Sequence, residues 1–253
     1  MEGRNLNLYC GDTELAHWPA VATRSVGPDH VHLWFTELSA YEEHLDRLHS
    51  LLDAEEQARA ERFRFTHDQH RFIIGHGLLR HLLSQRLNVS PESIHYARGP
   101  HGKPYIPDVG LHFNFSDTKD AILIAVSEGA ELGVDVETMA RSVDHMAVGE
   151  HYFTPEEVAD IRDTPEPKRR FLELWTRKEA VLKASGVGIM DDLKVLRVNA
   201  PEQTVELAHD QFKRMASDSY HVRTWSLGTD HIISLATSAP PTEVVFLPLN
   251  YGA

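Results

Sequence analysis

LGVDVE, residues 132–137, interleaves two carboxylates, Asp135 and Glu137, with Leu132, Val134 and Val136. Apolar–polar alternation of this kind predicts a half-buried strand, with both acids on one face and their Cα atoms roughly 6.5–7 Å apart. Like charges at that separation repel, and partial burial makes ionising both costly. Something positive is expected between them. The simpler alternative for a D-x-E pair taken alone is an edge strand whose acids face water.

A second stretch, LWTRKEAVLKASG (174–186), bears on that choice. Glu179 and Lys183 are four residues apart and share one face of a predicted helix, with Trp175 one turn earlier. An exposed Glu–Lys pair at this spacing is worth only a few tenths of a kcal/mol, and that is the bland reading. Set beside Asp135 and Glu137, however, Glu179 completes three hard oxygen donors of the type Mg²⁺ prefers. Such an ion takes its remaining ligands from water and phosphate oxygens. Lys183 would reach the same phosphates, which is a design for phosphoryl-type transfer.

The flanking chain alternates strand-like and helix-like stretches. DHVHLWFTEL (29–38) predicts a strand, residues 39–62 a helical pattern, and THDQHRFIIGHGLLRHLLSQRLNV (66–89) a helix capped by Thr66. RGPHGKPYIPDVG (98–110), with three Gly and three Pro, predicts a loop. Strands are expected at 111–116, 121–127 and 131–137. A helix capped by Thr154 with Pro155 in its first turn comes next, then one over 167–186 that Gly186 ends. LKVLRV, TVELA, YHVRTWSL and HIISLAT predict a closing β-meander. Strand, helix, helix, strands followed by strand, helices, strands suggests one α+β plan used twice, with the halves at 1–130 and 131–253. The first 28 or so residues match no motif.

The chain has 253 residues, a formal net charge of −13, 17 histidines and a single cysteine, Cys10. The acidity argues against a general nucleic-acid binder, and one cysteine excludes an internal disulfide framework. There is no apolar run of membrane-spanning length and no secretory leader, so a cytoplasmic protein with no membrane partner is expected. The basic residues cluster at Arg59, Arg62, Arg64 and Arg71, and again at Lys168, Arg169, Arg170, Arg177, Lys178 and Lys183. Solvated helix faces are the plain reading of both groups.

GVDVE and WTRKEAVLKASGVGI resemble the two signature motifs of the 4′-phosphopantetheinyl transferases, (I/V)G(I/V)DxE and WxxKEAxxK. HGKPYIPD and LHFNFSDT resemble that family's GKP loop and FNxS segment, and ERFRF with HRFIIGHGLLRHLL its first-half helix. These motifs cover most of residues 55–190. The length points to the Sfp-type subfamily, an α+β fold of two similar α/β halves packed as a monomeric pseudo-dimer. The resemblance implies transfer of 4′-phosphopantetheine from coenzyme A to a serine of an acyl, peptidyl or polyketide carrier protein, releasing 3′,5′-ADP. By motif, Asp135, Glu137 and Glu179 hold Mg²⁺, Lys183 binds the diphosphate, and Glu179 also accepts the serine proton. Those two roles for Glu179 compete, since a tightly held metal ligand is a weaker base.

Further contacts follow by the same route. Gly102, Lys103 and Pro104 are expected along the nucleotide, and Arg71, Arg59 and Arg62 toward the 3′-phosphate, with Ser116 near it. Asp117 departs from the family's usual His after that serine. An ionised acid there repels a phosphate unless it turns away or pairs with a neighbouring cation. Trp175 is expected to pack the helix on the sheet, and Lys178 to pair with a carboxylate near the metal. PKRRF (167–171), with Met139 and Met146, is the expected carrier-docking patch. Two other functions would use the same residues: a metal-dependent nucleotide pyrophosphate hydrolase, and a CoA-binding regulatory module without transfer.

Overall fold

The computed structural model describes residues 4–16, 18, 30–188, 193–207, 210–241 and 243–251. The N-terminal segment without a motif contains β1 (Arg4–Ala16), the longest described strand; residues 17 and 19–29 of that segment lie outside the described residues. β2 (His30–Glu37) follows. The helical pattern over 39–62 breaks into a 3-10 turn (Leu38–His44), α1 (Leu45–Ser50) and α2 (Ala54–Ala60). Asp53 starts α2 with a capping box, accepting from the Glu56 N–H while the Glu56 carboxylate accepts from its own. In α3 (Thr66–Leu87), Thr66 is the first helical residue rather than the cap, and Phe65 holds the cap position without a side-chain bond.

The Gly- and Pro-rich loop carries a miniature hairpin, β3 (Ala97–Arg98) and β4 (Pro104–Tyr105), around a turn with Gly102 at φ +85°. β5 (His112–Asp117), β6 (Ala121–Ser127) and β7 (Leu132–Thr138) stand within a residue of their expected places. α4 (His145–Tyr152), which the sequence did not predict, precedes α5 (Pro155–Arg162), where Thr154 and Glu157 form a second capping box. α6 (Pro167–Ser185) ends at Gly186 with φ +71°. The chain closes with β8 (Glu202–Leu207), α7 (Asp210–Met215), β9 (Ser219–Leu227), β10 (His231–Thr237) and β11 (Glu243–Phe246).

The fold is α+β, with two sheets facing each other and helices on their outer sides. One sheet runs β7-β10-β9-β1-β8, the other β11-β2-β6-β5. The expected meander holds only for β9 and β10, because β1 inserts between β9 and β8, parallel to β9. At the other end of the chain, β11 lies parallel to β2. Each terminal strand therefore sits in the sheet of the opposite half.

β7 is buried on both faces, not half-buried. Leu132, Val134 and Val136 join Val31, Leu33, Leu123, Trp225 and Ile233 in the core between the sheets. Gly133, Asp135 and Glu137 alternate with them and therefore turn toward α6. A Cβ on Gly133 would lie 2.3 Å from the Ala180 carbonyl oxygen and 2.2 Å from the Ala184 nitrogen. Glycine here lets the helix backbone rest directly on the strand. β7 is also an edge strand, and its Val134 N–H donates to the Asn114 side chain on β5, 2.8 Å away, across the junction of the two sheets.

α6 is anchored on its other side by Lys178. This ammonium is fully buried and donates to Glu157 Oε2 at 2.8 Å and the Leu193 carbonyl at 3.0 Å, over the Phe153 ring. Glu157 also accepts from the backbone N–H groups of Thr154 and Val198. Lys178 thus pairs with a cap residue of α5 and not with a carboxylate of the candidate metal site. The same bonds account for LKVLRV, which is no strand: a 3-10 turn (Leu193–Val195) begins it. Its Leu193 and Val198 backbone groups are taken by Lys178, Glu157 and the buried Arg177.

Two stability measurements test this frame. Gly133→Ala should lower the unfolding free energy in urea by about 1–3 kcal/mol, the usual cost of overpacking. Gly149→Ala on α4, whose added Cβ meets nothing closer than 3.6 Å, should leave it within ~1 kcal/mol. Lys178→Met strands the buried Glu157 charge and should cost ~3–5 kcal/mol; a loss below ~1 kcal/mol would show that the pair does not hold the two helices together.

Candidate active site

The candidate site lies on the seam where β5 and β7, the edges of the two sheets, approach each other under α6. Ser116 on β5 donates to Asp135 Oδ1 on β7 at 2.9 Å. Lys183 on α6 donates to both, 2.7 Å to the Ser116 hydroxyl and 2.7 Å to Asp135 Oδ1. Strand, strand and helix thus each contribute one member of a closed hydrogen-bonded triangle. Asp135 is 6% exposed and Glu137 8%, so both carboxylates are largely removed from water. Each acid has its own cation in place of one positive group between them: Lys183 on Asp135 and Arg141 on Glu137.

Burial pushes Glu137 up to about 7, and the neighbouring Asp135 charge adds to it, against opposing pulls from Arg141 and Lys183. Glu179 is pushed up to about 7 for the same two reasons, burial first and then Asp135. Glu137 and Glu179 thus both feel the Asp135 charge, and the three carboxylates share one electrostatic site. Among the described residues, no three acidic, histidine or cysteine side chains stand as a ready-made metal cage. Lys183 occupies one oxygen of Asp135 and Arg141 one oxygen of Glu137. The other Asp135 oxygen, Oδ2, is buried without a hydrogen-bond partner. A hard, unpartnered oxygen beside two further carboxylates suits a divalent cation, so the donor types present fit one.

The remaining expected residues divide into three groups. Arg71 joins the cluster through Asp117, with its Nε 2.7 Å from Asp117 Oδ2, and also pairs with Asp68 at 2.9 Å. Asp117 therefore takes the second of its two expected courses: it pairs with a cation. Burial raises its carboxyl above the usual range, while Arg71 and then Lys183 pull it back. Gly102, Lys103, Pro104, Asn114, Phe115 and Lys183 line a neighbouring cavity of about 230 Å³. The Lys103 ammonium itself bridges the halves, donating to the backbone carbonyls of Leu132 and Ala184 at 3.0 and 2.9 Å. Burial lowers it to about 8.

Arg59 stands apart, over the Phe72 ring in a separate cavity of about 140 Å³ with His76, His95 and Arg98. Arg62 is exposed and lines none of these cavities. Ser116, expected near a phosphate, bonds Asp135 and Lys183. Trp175 packs against Phe171, Tyr152 and Phe153, partly buried on the second-half core. The cations of PKRRF have partners within the protein. Lys168 donates to the Met139 carbonyl, Arg169 to Ser226 and Thr229, and Arg170 to Asp160 and Glu173. Met139 and Met146 are partly buried against the second-half core.

One residue of the site was not foreseen. Arg141, four positions after Glu137, donates to Glu137 Oε1, and its guanidinium carbon lies 5.6 Å from the Trp175 ring centroid. The spacing to Glu137 and the Trp of the second motif were visible, but nothing local says that the chain turns Arg141 back over both.

Comparison with known proteins agrees with this geometry. Residues 131–236 match the model of the 4′-phosphopantetheinyl transferase superfamily, and residues 37–129 that of a 4′-phosphopantetheinyl transferase N-terminal domain. The chain is 36% identical to the 4′-phosphopantetheinyl transferase HetI of Nostoc sp. over 64% of this chain and 70% of that one. It is 29% identical to the transferase psf-1 of Bacillus pumilus over 78% and 83% of the two chains. It is 28% identical to the transferase Sfp of Bacillus subtilis over 58% and 66%. No described helix is long and apolar enough to cross a membrane. The chain belongs to the 4′-phosphopantetheinyl transferases and is an enzyme of their Sfp-type, two-half form.

Proposed function

We propose that this enzyme transfers 4′-phosphopantetheine from coenzyme A to a serine hydroxyl of an acyl, peptidyl or polyketide carrier protein, with Mg²⁺, releasing 3′,5′-ADP. The observation that carries the reading is the meeting of Asp135, Glu137 and Glu179 with Lys183 on the seam between β5 and β7. One chain supplies both sides of that seam, β5 and β7, which supports a monomer.

Asp135, Glu137 and Glu179 would hold the ion, and the unpartnered Asp135 Oδ2 supports its placement there. Bound, Mg²⁺ supplies positive charge against the diphosphate of the substrate. Lys183 binds a diphosphate oxygen and offsets the charge that grows on the departing 3′,5′-ADP. In the transfer, the serine oxygen bonds to the β-phosphorus as the bridging phosphoanhydride bond breaks, and the bridging oxygen leaves with ADP. Glu179, half-buried on the α6 face that overlies β7, takes the serine proton. Gly102, Lys103 and Pro104 flank the nucleotide in their cavity, and Arg71 faces the 3′-phosphate.

The test is the intact mass of an apo carrier protein after incubation with this enzyme, CoA and Mg²⁺. A gain of one phosphopantetheine is expected, lost in EDTA and in Glu179→Ala. Lys183→Ala should lower kcat by roughly 10²–10³, the scale of removing one preorganised charge-stabilising donor. Free phosphate products without a mass gain would instead indicate a hydrolase.

A second expectation concerns Arg71, whose charge is already met by Asp117 and Asp68. CoA and 3′-dephospho-CoA should have kcat/KM values within about fivefold, or ~1 kcal/mol. Asp117→Ala should widen the advantage of CoA by freeing the guanidinium. A loss of a hundredfold or more for dephospho-CoA with the unaltered enzyme would contradict the argument.

A further inference from the structure

We propose that Arg141 is a resident counter-cation of the carboxylate site: its guanidinium holds Glu137 in the ligand-free enzyme, and a divalent cation displaces it. The inference rests on the metal-site reading above.

Arg141 lies in the turn that leaves β7, and its position is fixed by backbone bonds. Its N–H donates to the Thr138 carbonyl at 3.0 Å, and the Ala140 N–H donates to the Thr138 hydroxyl at 3.2 Å. That hydroxyl in turn donates to Asp120. From this anchored turn the side chain, 36% exposed, reaches back to Glu137. Beside it opens a cavity of about 450 Å³ lined by Asp117, Lys119, Glu137, Arg141 and Ser142 among others. The guanidinium can therefore move without moving the backbone that carries it.

It also has a second place to rest. Trp175 is held by Phe171, Tyr152 and Phe153, and its ring already lies within cation–π range of the guanidinium. Arg141 can give up the carboxylate and keep the indole. Lys183 is placed differently, tied to Asp135 and Ser116 together. Lys183 thus has two hydrogen-bonded side chains to leave, and Arg141, among the described residues, has Glu137 alone.

Arg141 and a divalent cation draw on the same carboxylate. The guanidinium bonds Glu137 Oε1, and a second cation brought to that half-closed group meets its like charge at short range, which favours exchange over addition.

The test is Mn²⁺ binding to the full chain without CoA, by titration calorimetry, for the unaltered enzyme, Arg141→Ala and Asp135→Asn. Arg141→Ala is expected to bind Mn²⁺ at least fivefold more tightly, and Asp135→Asn to lose binding. Mg²⁺ should change the Trp emission of the unaltered enzyme, with the change absent in Arg141→Ala and in Trp175→Phe. If the unaltered enzyme binds Mn²⁺ through Asp135 but folded Arg141→Ala binds it equally or more weakly, Arg141 is a support for Glu137 and the inference falls alone. If neither the unaltered enzyme nor Arg141→Ala binds Mn²⁺, the metal-site reading falls with it. Loss of a neighbouring positive charge by itself also favours a bound cation, so the Trp emission change is what separates displacement from charge alone: its absence in the unaltered enzyme at saturating Mg²⁺ overturns the inference.

Discussion

The site depends on the absence of one side chain. At Gly133 the backbone of α6 comes so close to β7 that a single methyl would press into Ala180 and Ala184. Ala180 and Ala184 flank that contact along the helix, and Glu179 and Lys183 each directly precede one of them. Seating the alanines on the glycine brings Lys183 onto Asp135, two residues along the strand from Gly133. The helix face and the strand face are thereby set against each other at backbone precision, before any charged group is considered. Side-chain packing alone leaves more slack than a hydrogen-bonded triangle of 2.7–2.9 Å tolerates.

The charged residues of the second motif separate into two tasks on two faces of one helix. Glu179 and Lys183 face the seam. Lys178, fully buried, faces the opposite way into a network of Glu157, Leu193 and Phe153. Arg177, also buried, holds Gly11, Val198 and Thr224, so it ties β1 and the 193–198 segment to the helix. A charged residue in this motif is thus as readily a bolt as a reagent. Burying such ions is costly unless their protons are matched, and here backbone carbonyls of Gly11, Leu193 and Val198 share that task with the Glu157 and Thr224 side chains.

Local pattern was sufficient for β5, β6, β7, α3, α5 and α6, because each carries its own periodicity and, for α5 and α6, its own cap or stop. It was insufficient wherever distant chain segments supply the partner. β1 pairs in parallel with β9, some two hundred residues later, and nothing in RNLNLYCGDTELA announces it. LKVLRV has strand composition, yet its backbone bonds are consumed by side chains of α5 and α6. Lys103 was legible as part of a GKP turn, but not its reach to the carbonyls of Leu132 and Ala184. PKRRF looked like a free basic patch because sequence shows charges and hides their partners. The carboxylates and Lys183 were legible because helix and strand spacing alone bring them to one face; Arg141 was not, because a turn carries no such rule.

The exchanged terminal strands make the two halves mechanically inseparable. β1 belongs by sequence to the first half and by hydrogen bonding to the second, while β11 belongs to the second and bonds into the first. Cutting the chain in the connection between β6 and β7 would yield no pair of autonomous domains. Each fragment would hold a strand that completes the other's sheet. Such a nicked protein has the architecture of a clasp, in which the pieces release each other only by unzipping a strand, and reassembly of the pieces rebuilds the seam with them.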